Sequence, residues 1–279
     1  MNKEELTAIL ESLGVRPGRG LGQNFLLDNN LLDFIIRKAA IREGEKIFEV
    51  GPGLGALTWR LLKTGGDITS IEFDSRFCKY WRQQIAAGGA AARLHLIEGD
   101  ACRVNWQELT GNSIYRIIAN LPYAASSVLI GNWLDLPNPP AGMVLMLQKE
   151  MAQRLAAGVG TKNYGALSVR TQHIYDVKLE RTVPPEVFLP PPEVDSAIVS
   201  FTLRSELPDA ALRKEAGKLA KAAFAQRRKQ MPNTIGNAFG GRDAVKKALL
   251  QLKHPESERP ERLTPDEWLT LAAYKSSKE

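Results

Sequence analysis

The sequence predicts an α/β fold, with a mostly parallel sheet covered by helices on both faces and a small all-helical C-terminal domain. Short apolar runs alternate with longer stretches of helical periodicity from residue 47 onwards, which is typical of strand–helix–strand units. Beyond Ser205 only helical patterns remain. We therefore expect an α/β domain at residues 1–205 and a helical domain at residues 206–279.

Two helices are expected before the sheet. Residues 3–13 carry apolar side chains at helical spacing and end at Gly14, a residue type that commonly caps helix C-termini. After a loop rich in glycine and arginine, a second helical pattern begins at Asp28, a good N-cap, and runs towards Ala40.

Seven short apolar runs are expected to form the strands, and the longer stretches between them the covering helices. The predicted strands are Ile47–Val50, Ile68–Ile71, Leu94–Ile97, Tyr115–Ala119, Met143–Leu147, Val177–Val183 and Ala197–Leu203, with helices near 56–63, 75–86, 125–134 and 149–157. A proline-rich stretch joins the last two strands, a connection compatible with an antiparallel orientation. The C-terminal helices are expected at 209–225, 243–252 and 265–274.

Composition excludes several classes of protein. The 279 residues contain no apolar run near the roughly 18 residues that a membrane helix needs, and the acidic N-terminus does not resemble a signal peptide. Two cysteines and three scattered histidines give no disulfide framework, metal-ligand spacing or catalytic triad. The net charge of +6 favours an anionic partner. We therefore expect a cytoplasmic protein that binds neither metal nor membrane. A monomer is expected as well.

A glycine-rich loop, Glu49-Val50-Gly51-Pro52-Gly53-Leu54-Gly55, directly follows the first apolar run. Its glycines Gly51 and Gly53 allow the backbone to approach a ligand, and the next helix offers free N–H groups. Glu72 ends the second run, where a carboxylate can accept hydrogen bonds from both hydroxyls of a ribose. This combination indicates a nucleoside-containing cofactor, although the third glycine comes one residue too early for a dinucleotide motif.

Two further strand ends carry polar residues. Asp100 follows the third run, where it can accept the amino group of a cofactor adenine or simply form a turn. The sequence Asn120-Leu121-Pro122-Tyr123 ends the fourth, at the edge where open parallel sheets bind ligands. The Asn120 side chain and the Leu121 carbonyl can accept the two N–H bonds of an aromatic amine. Pro122 stiffens the turn, and Tyr123 offers a face on which a base can stack.

These motifs resemble those of the ribosomal RNA adenine dimethyltransferase family, and within it the KsgA type that acts on the small subunit. Matching segments cover nearly the whole chain. They are Gly22–Leu26, Glu49–Gly55, Asn120–Tyr123, Gln148-Lys149-Glu150, Tyr164-Gly165, Leu167-Ser168-Val169, Phe188–Ser196 and Ala223–Lys229. The resemblance implies a Rossmann-like class I methyltransferase sheet of seven strands with a small helical C-terminal domain.

The resemblance also implies a reaction. S-adenosylmethionine would methylate N6 twice on two adjacent adenosines near the 3′ end of small-subunit (16S) ribosomal RNA, during ribosome biogenesis. The residues implied to contact this cofactor are Asn24, Leu26, Gly51, Glu72, Asp100 and Asn120. The flipped adenosine would lie between Tyr123 and Phe188, while Asn120 and Leu121 orient N6.

The basic run Gln226–Lys229 is by itself equally compatible with a solvent-exposed helix face and with a phosphate-binding patch. The resemblance favours RNA binding by Arg227, Arg228 and Lys229. The chain departs from the family pattern nearby, because Pro232 is expected to end or kink a helix and one expected cation is missing. The detail of this RNA contact is therefore open. A second departure, Ala119 in place of a usual glycine, is small.

Three alternatives remain. A large-subunit methyltransferase of the erythromycin-resistance type usually has isoleucine at the position of Leu121 and lacks the Gln226–Lys229 run. A non-catalytic assembly factor on the same scaffold would not need an intact cofactor loop. A nicotinamide dehydrogenase is the third, and retention on an S-adenosylhomocysteine resin would exclude it. Trp59, Trp81 and Trp133 match no motif, and we expect them in the core or at its rim.

Overall fold

The computed structural model describes residues 3–15 and 24–276. Part of the loop rich in glycine and arginine, including Gly22 and Gln23, lies outside these residues. The described chain forms a seven-stranded sheet with covering helices and a second, helical unit. Within the described ranges, no helix combines the length and the apolar character needed to cross a lipid bilayer.

The strands form one large sheet and one small sheet. They are β1 (Phe25–Leu26), β2 (Lys46–Val50), β3 (Asp67–Glu72), β4 (Leu94–Glu98), β5 (Arg116–Asn120), β6 (Gly142–Gln148), β7 (Tyr175–Val183), β8 (Phe188–Leu189) and β9 (Ser196–Leu203). The large sheet has the order β4-β3-β2-β5-β6-β9-β7, and β1 pairs with β8. The pairs β2–β3, β3–β4, β2–β5 and β5–β6 are parallel, and β9 runs antiparallel to β6. The predicted seven-stranded, mostly parallel sheet is therefore confirmed.

The helices agree largely with the predicted ones. They are α1 (Lys3–Ser12), α2 (Asn29–Ala39), α3 (Thr58–Lys63), α4 (Ser75–Ala87), α5 (Trp106–Thr110), α6 (Tyr123–Leu134), α7 (Lys149–Leu155), α8 (Ala166–Gln172), α9 (Ala210–Phe224), α10 (Pro232–Ile235), α11 (Arg242–Gln251) and α12 (Pro265–Ser276). The sequence pattern does not predict α5, α8 and α10. They contain five, seven and four residues.

The boundaries of α2 illustrate how local chemistry sets a helix. The Asp28 carboxylate accepts a hydrogen bond from the backbone N–H of Leu31 at 2.9 Å, which satisfies one of the free donors of the first turn. The last helical residue is Ala39, and Ala40 follows in the left-handed conformation with a φ of 43°. Both the N-cap and the helix end lie where they were predicted.

The strand order creates a topological switch point between β2 and β5. The chain adds β3 and β4 on one side of β2 and then returns to add β5 and β6 on the other side. Open α/β sheets bind ligands at such a point, outside the carboxyl ends of the strands. The glycine-rich loop follows β2 and Asn120 ends β5, so both motifs lie at this position.

A hydrophobic core fixes the helices of this unit against the sheet. It contains Ile47, Ile68 and Ile118 of three parallel strands together with Leu61 and Trp81 of the helices, all without exposed surface. Burying each aliphatic side chain of this size contributes about 1.5–3 kcal/mol to folding. The core therefore holds the strand ends, and the motifs that follow them, in fixed positions.

The N-terminal helix belongs to the same unit through a smaller apolar cluster. Leu6 and Leu10 of α1 are buried there with Leu54 of the glycine-rich loop and Phe77 of α4. Because these four side chains share one cluster, α1 stabilises the loop that follows β2.

The second compact unit consists of residues 153–177 and 203–279. Its core joins Tyr164 and Val169 to buried side chains of the C-terminal helices such as Trp268. The predicted helical domain, 206–279, lies within this unit, which also contains residues 153–177 and 203–205. Their apolar residues have the same character as those of the sheet unit, so only the packing reveals where they belong.

Pro232 does not have the effect expected from the sequence. Helix α9 has already ended at Phe224, and a turn follows it. Pro232 is the first residue of α10, a position that proline favours because the N–H it lacks would have no partner there. The proline thus begins a short helix and kinks none.

Candidate active site

A cavity of about 560 Å³ opens at the carboxyl ends of β2, β3, β4 and β5. Small-molecule sites in proteins typically measure about 300–1,000 Å³. The sequence-predicted residues that line it are Asn24, Leu26, Gly51, Gly53, Glu72, Asp100, Asn120, Leu121, Pro122 and Tyr123. The structure thus brings together residues from five separate segments of the chain. Phe188 is not among the lining residues.

The glycine-rich loop adopts backbone conformations that other residues avoid. Gly51 has a φ of 69° and Gly53 a φ of 53°, both in the left-handed region that favours glycine. A β-carbon at Gly53 would lie only 3.3 Å from the ring of Phe25. The N–H of Gly51 donates to the Ile71 carbonyl at 2.9 Å and so joins the loop to β3. The loop therefore presents backbone, without side chains at these two residues, to the cavity.

Trp81 stabilises this loop, a role that no sequence motif predicts. Its indole Nε1 donates a hydrogen bond to the Gly53 carbonyl at 2.8 Å, and its ring packs on Trp59 with centroids 5.3 Å apart. A β-carbon at Gly55 would come within 2.6 Å of the Trp81 ring. The indole therefore occupies the space next to the loop. No motif marks it, because only folding brings α4 against the loop.

Glu72 is buried at the end of β3 and lines the cavity. One carboxylate oxygen accepts the N–H of Gly53 at 3.1 Å, and the other accepts the N–H of Asp74 at 2.8 Å. Burial raises the pKa of this carboxyl, and the backbone hydrogen bonds partly oppose that rise. A carboxylate has about four acceptor positions. Glu72 can therefore hold the loop and still accept two hydroxyl groups of a ligand.

A second buried carboxyl, Glu49, lines the same cavity and was not selected from the sequence as a site residue, although it opens the glycine motif. The Ser70 hydroxyl donates to it at 2.7 Å. Burial raises the pKa of Glu49 to about 7, against the hydrogen bond from Ser70, and repulsion by Glu72 adds to the rise. A positively charged ligand would favour ionisation of both carboxyls, so this part of the cavity suits a cation.

Asp100 follows β4 and forms the turn that was one of the two roles left open by the sequence. One carboxylate oxygen accepts the N–H of Cys102 at 2.9 Å, which forms a turn, and the other lies 3.3 Å from Nε of the exposed Arg103. The residue also lines the cavity and is half-buried. The turn is therefore present, and acceptor positions remain for a ligand. Contact with an adenine amino group stays a prediction.

Asn120 ends β5 with a half-buried side chain at the cavity. Over residues 3–15 and 24–276, nothing forms a hydrogen bond with its side-chain amide. Leu121 continues the ladder to the next strand, since its N–H donates to the Met146 carbonyl at 3.2 Å. Because no described protein group pairs with it, this amide is available for a ligand.

Tyr123 begins α6 directly after Pro122 and is also half-buried at the cavity. Its hydroxyl lies 2.5 Å from the hydroxyl of Ser196. Burial raises the pKa of the Tyr123 phenol, and the Ser196 hydrogen bond opposes the rise. The phenol is therefore neutral at physiological pH. The side chain is held at its α-carbon by the helix and at its hydroxyl by Ser196.

The small sheet places Phe188 away from the position expected for it. Leu26 lines the cavity, and Phe188 is its strand partner in the β1–β8 pair. The Phe188 side chain is 3% exposed and belongs to the hydrophobic core. The structure therefore does not bring its ring to the cavity beside Tyr123. Burial of a phenyl ring is strongly favourable, which explains this packing, and the predicted stacking on a base stays a prediction.

Phe188→Ala is expected to lower turnover and to leave cofactor affinity within a few-fold, which single-turnover kinetics and calorimetry would measure. Because the ring is buried, the same change should also lower the melting temperature, since truncating a core phenylalanine costs about 3–5 kcal/mol. Phe188→Leu is the matched control, because it keeps an apolar core residue and removes the aromatic face. Wild-type turnover in Phe188→Leu would contradict stacking, and loss of cofactor binding with normal turnover at saturation would assign Phe188 to the cofactor site.

The basic run lies in the turn after α9. Arg227 donates from its guanidinium to the backbone oxygens of Thr161, at 2.7 Å, and Lys162. Arg228 and Lys229 are exposed. The three cations therefore differ in their surroundings. Arg227 joins the turn after α9 to residues 161–162, whereas Arg228 and Lys229 face solvent. In the described part of the chain, no three His, Cys, Asp or Glu side chains cluster as metal ligands would.

The family model for ribosomal RNA adenine dimethylase matches residues 18–276 of this chain. The chain belongs to the ribosomal RNA adenine dimethylase family. Ribosomal RNA small subunit methyltransferase A of Geobacillus sp. (strain WCH70) is 35% identical to it over 285 residues, covering 98% of both chains. The protein of the same name from Leifsonia xyli subsp. xyli is 38% identical and covers 96% of both chains.

Two solved structures resemble this ribosomal RNA adenine dimethylase. A dimethyladenosine transferase from Plasmodium falciparum gives a TM-score of 0.72 at 26% identity, covering 88% of this chain and 95% of the other. The 23S rRNA methyltransferase ErmE gives a TM-score of 0.70 at 22% identity, covering 91% of this chain and 100% of the other. The predicted class I methyltransferase fold and the predicted family are confirmed, and the chain is an enzyme. A methyltransferase of this family implies a cofactor of the S-adenosylmethionine type.

Proposed function

We propose that this adenine dimethylase uses S-adenosylmethionine to dimethylate N6 of two adjacent adenosines near the 3′ end of small-subunit (16S) ribosomal RNA. The proposal includes a monomeric enzyme that acts in the cytoplasm without a metal. The main support for this proposal is a single cavity. The glycine-rich loop, two buried carboxyls and Asn120–Tyr123 all line it. Relatives that match nearly the whole chain at 35% and 38% identity are small subunit methyltransferases. The large-subunit alternative is not favoured, because ErmE, at 22% identity, supports only the fold.

The residues of the cavity fit S-adenosylmethionine. This cofactor is a cationic nucleoside that carries an amino acid, and Glu49 and Glu72 are two buried carboxyls at the cavity. We assign the ribose hydroxyls to Glu72 and the adenine amino group to Asp100, with close backbone approach at Gly51 and Gly53. When bound, the cofactor supplies a methyl group on an excellent leaving group. Further contacts are assigned to Asn24, Leu26 and Asn120, which line the same cavity.

The Asn120–Tyr123 segment is proposed to hold the target adenine. The lone pair of the adenine amine is delocalised into the ring, so N6 is a weak nucleophile. The Asn120 amide oxygen and the Leu121 carbonyl accept its two N–H bonds and favour a tetrahedral nitrogen. Tyr123 stacks on the flipped base, an interaction worth about 1–3 kcal/mol. Orientation then accounts for most of the rate enhancement, and the cationic product nitrogen is acidic enough to lose its proton without a dedicated base.

The helical unit is proposed to bind ribosomal RNA through its shape and its phosphates. A pocket for one flipped adenosine cannot select a single site in a large RNA, so selectivity requires a wider docking surface. Exposed Arg228 and Lys229 provide two cations on this unit. Arg227 has its guanidinium bound to backbone oxygens, so we expect it to shape the turn that presents the other two.

Changing Arg227, Arg228 and Lys229 together to alanine is expected to weaken RNA binding and to flatten its salt dependence. Each lost phosphate contact should reduce the slope of log K against log salt by about 0.7–0.9 units. The double variant Arg228→Ala/Lys229→Ala should account for most of this change, and Arg227→Ala alone for little of it. Fluorescence anisotropy at several salt concentrations measures the slopes, and an unchanged slope in the triple variant would make the run an ordinary solvent-exposed turn.

The decisive experiment uses immature subunits that lack the modification. Purified protein and radiolabelled S-adenosylmethionine are incubated with small and with large subunits, and the RNA is digested to nucleosides. We expect label in N6,N6-dimethyladenosine from the small subunit and little or none from the large one. Label confined to the large subunit, or to a base other than adenine, would contradict the proposed function.

A further inference from the structure

The Tyr123 ring is held at its far end by a residue from a distant part of the chain. Its hydroxyl lies 2.5 Å from that of Ser196, the first residue of β9. Tyr123 lines the cavity, whereas Ser196 is fully buried and does not line it. A tyrosine side chain attached only at its α-carbon rotates about two bonds. A hydrogen bond from its hydroxyl to a fixed partner restricts that rotation.

Ser196 is itself fixed by its neighbours. It pairs in register with Gln148 at the end of β6. The next residue, Lys149, donates its backbone N–H to the Asp195 carbonyl at 2.9 Å, and its ammonium lies 2.9 Å from the Asp195 carboxylate. The strand ladder and this backbone hydrogen bond together fix the Ser196 backbone from which the hydroxyl extends. They involve residues 148–149 and 195–196, which belong to two of the matching motif segments and have no role in the proposed function.

We propose that Ser196 is a positioning residue for Tyr123, so that β9 as well as α6 sets the face on which the adenine stacks. The inference rests on the proposed function, in which Tyr123 contacts the target base. A loosened ring should impair the second methyl transfer more than the first, because the monomethylated amine is bulkier and has only one N–H left to orient it. Loss of the hydroxyl contact should therefore lower kcat and raise the share of monomethyl product.

The test compares Ser196→Ala, Tyr123→Phe and the double variant with the wild type on undermethylated small subunits. Ser196→Ala and Tyr123→Phe should each lower kcat about three- to tenfold, the range for one neutral hydrogen bond. Both should release more N6-monomethyladenosine, with cofactor affinity unchanged. The double variant should be no slower than the slower single variant, because both changes remove the same interaction. Ser196→Thr keeps the hydroxyl and should restore both kcat and the product ratio.

Ser200→Ala is the matched control, since it makes the same change in the same strand. The Ser200 hydroxyl donates to Glu180 at 2.8 Å and does not line the cavity, so this variant should keep the wild-type kcat and product ratio. Melting temperatures of all variants identify general loss of stability. Additive losses in the double variant, or an equal change of product ratio in Ser200→Ala, would overturn the inference. If Ser196→Ala behaved like the wild type while Tyr123→Ala was impaired, the role of Ser196 would be overturned and the proposed function would stand. If the wild-type enzyme methylated no small-subunit adenosine, both the proposed function and the role of Ser196 would be overturned.

Discussion

Asn120→Ala is expected to lower methyl transfer about 100- to 1,000-fold, the loss typical of removing one hydrogen-bonding group aimed at a reacting centre. Its side-chain oxygen is proposed to accept an N6–H bond where the transition state forms, and interactions made there determine kcat. Across the described ranges no protein group pairs with this amide, so its removal leaves no donor or acceptor unsatisfied. The melting temperature and the RNA affinity should therefore stay near the wild-type values. Single-turnover transfer of radiolabelled methyl groups measures the effect.

Asn138→Ala is a suitable control, because it makes the same chemical change outside the cavity. The Asn138 amide donates to the backbone oxygen of Ser113 at 2.9 Å, so this variant should lose some stability and little turnover. Asn120→Asp keeps an acceptor oxygen and should retain more activity than Asn120→Ala. Near-normal turnover in Asn120→Ala would refute the role given to this residue.

Glu72→Gln is expected to weaken cofactor binding about 10- to 100-fold, since a hydrogen bond to a charged group is worth about 1.5–3 kcal/mol. Both carboxylate oxygens already accept a backbone N–H, from Gly53 and from Asp74. A glutamine has only one oxygen, so its NH₂ group would face one of these donors. The substitution should therefore disturb the glycine-rich loop and also remove an acceptor for the ribose. Calorimetry with S-adenosylhomocysteine measures the affinity.

Glu98→Gln is the matched control for Glu72→Gln. Glu98 ends the neighbouring strand in register with Glu72, and its exposed carboxylate lies 2.5 Å from Arg82. Surface ion pairs of this kind contribute little, about 0–1 kcal/mol, so cofactor affinity should be unchanged. If Glu72→Gln also bound the cofactor normally, the ribose contact would have to be assigned to another residue.

Much of the fold follows from patterns that are local in the sequence. Five apolar runs with helices between them predict a parallel sheet, and parallel strands place all their carboxyl ends at one edge. Glu72, Asp100 and Asn120, each at a strand end, therefore had to be neighbours. This is why the lining of the cavity could be predicted from sequence while the exact helix limits could not.

The features that local sequence patterns do not predict depend on contacts between distant segments. Trp81 binds the loop at Gly53, 28 positions away, and Ser196 binds Tyr123, 73 positions away. The burial of Phe188 is of the same kind, since an aromatic residue in a proline-rich segment is compatible with the surface and with the core. The packing of 153–177 with the helical unit also depends on contacts formed only on folding.

The Trp81 indole lies so close to Gly55 that it fills the space a side chain at position 55 would need. An added methyl group at position 55 would overlap the indole, which lies 2.6 Å from the expected β-carbon, and φ there is 89°. Gly55→Ala alone should therefore destabilise the protein by about 1–3 kcal/mol through overpacking, as thermal unfolding would show. Reducing Trp81 as well would relieve the overlap but also remove the hydrogen bond to the loop. Any redesign of the glycine-rich loop in this enzyme must therefore choose the residues at 55 and 81 as a pair.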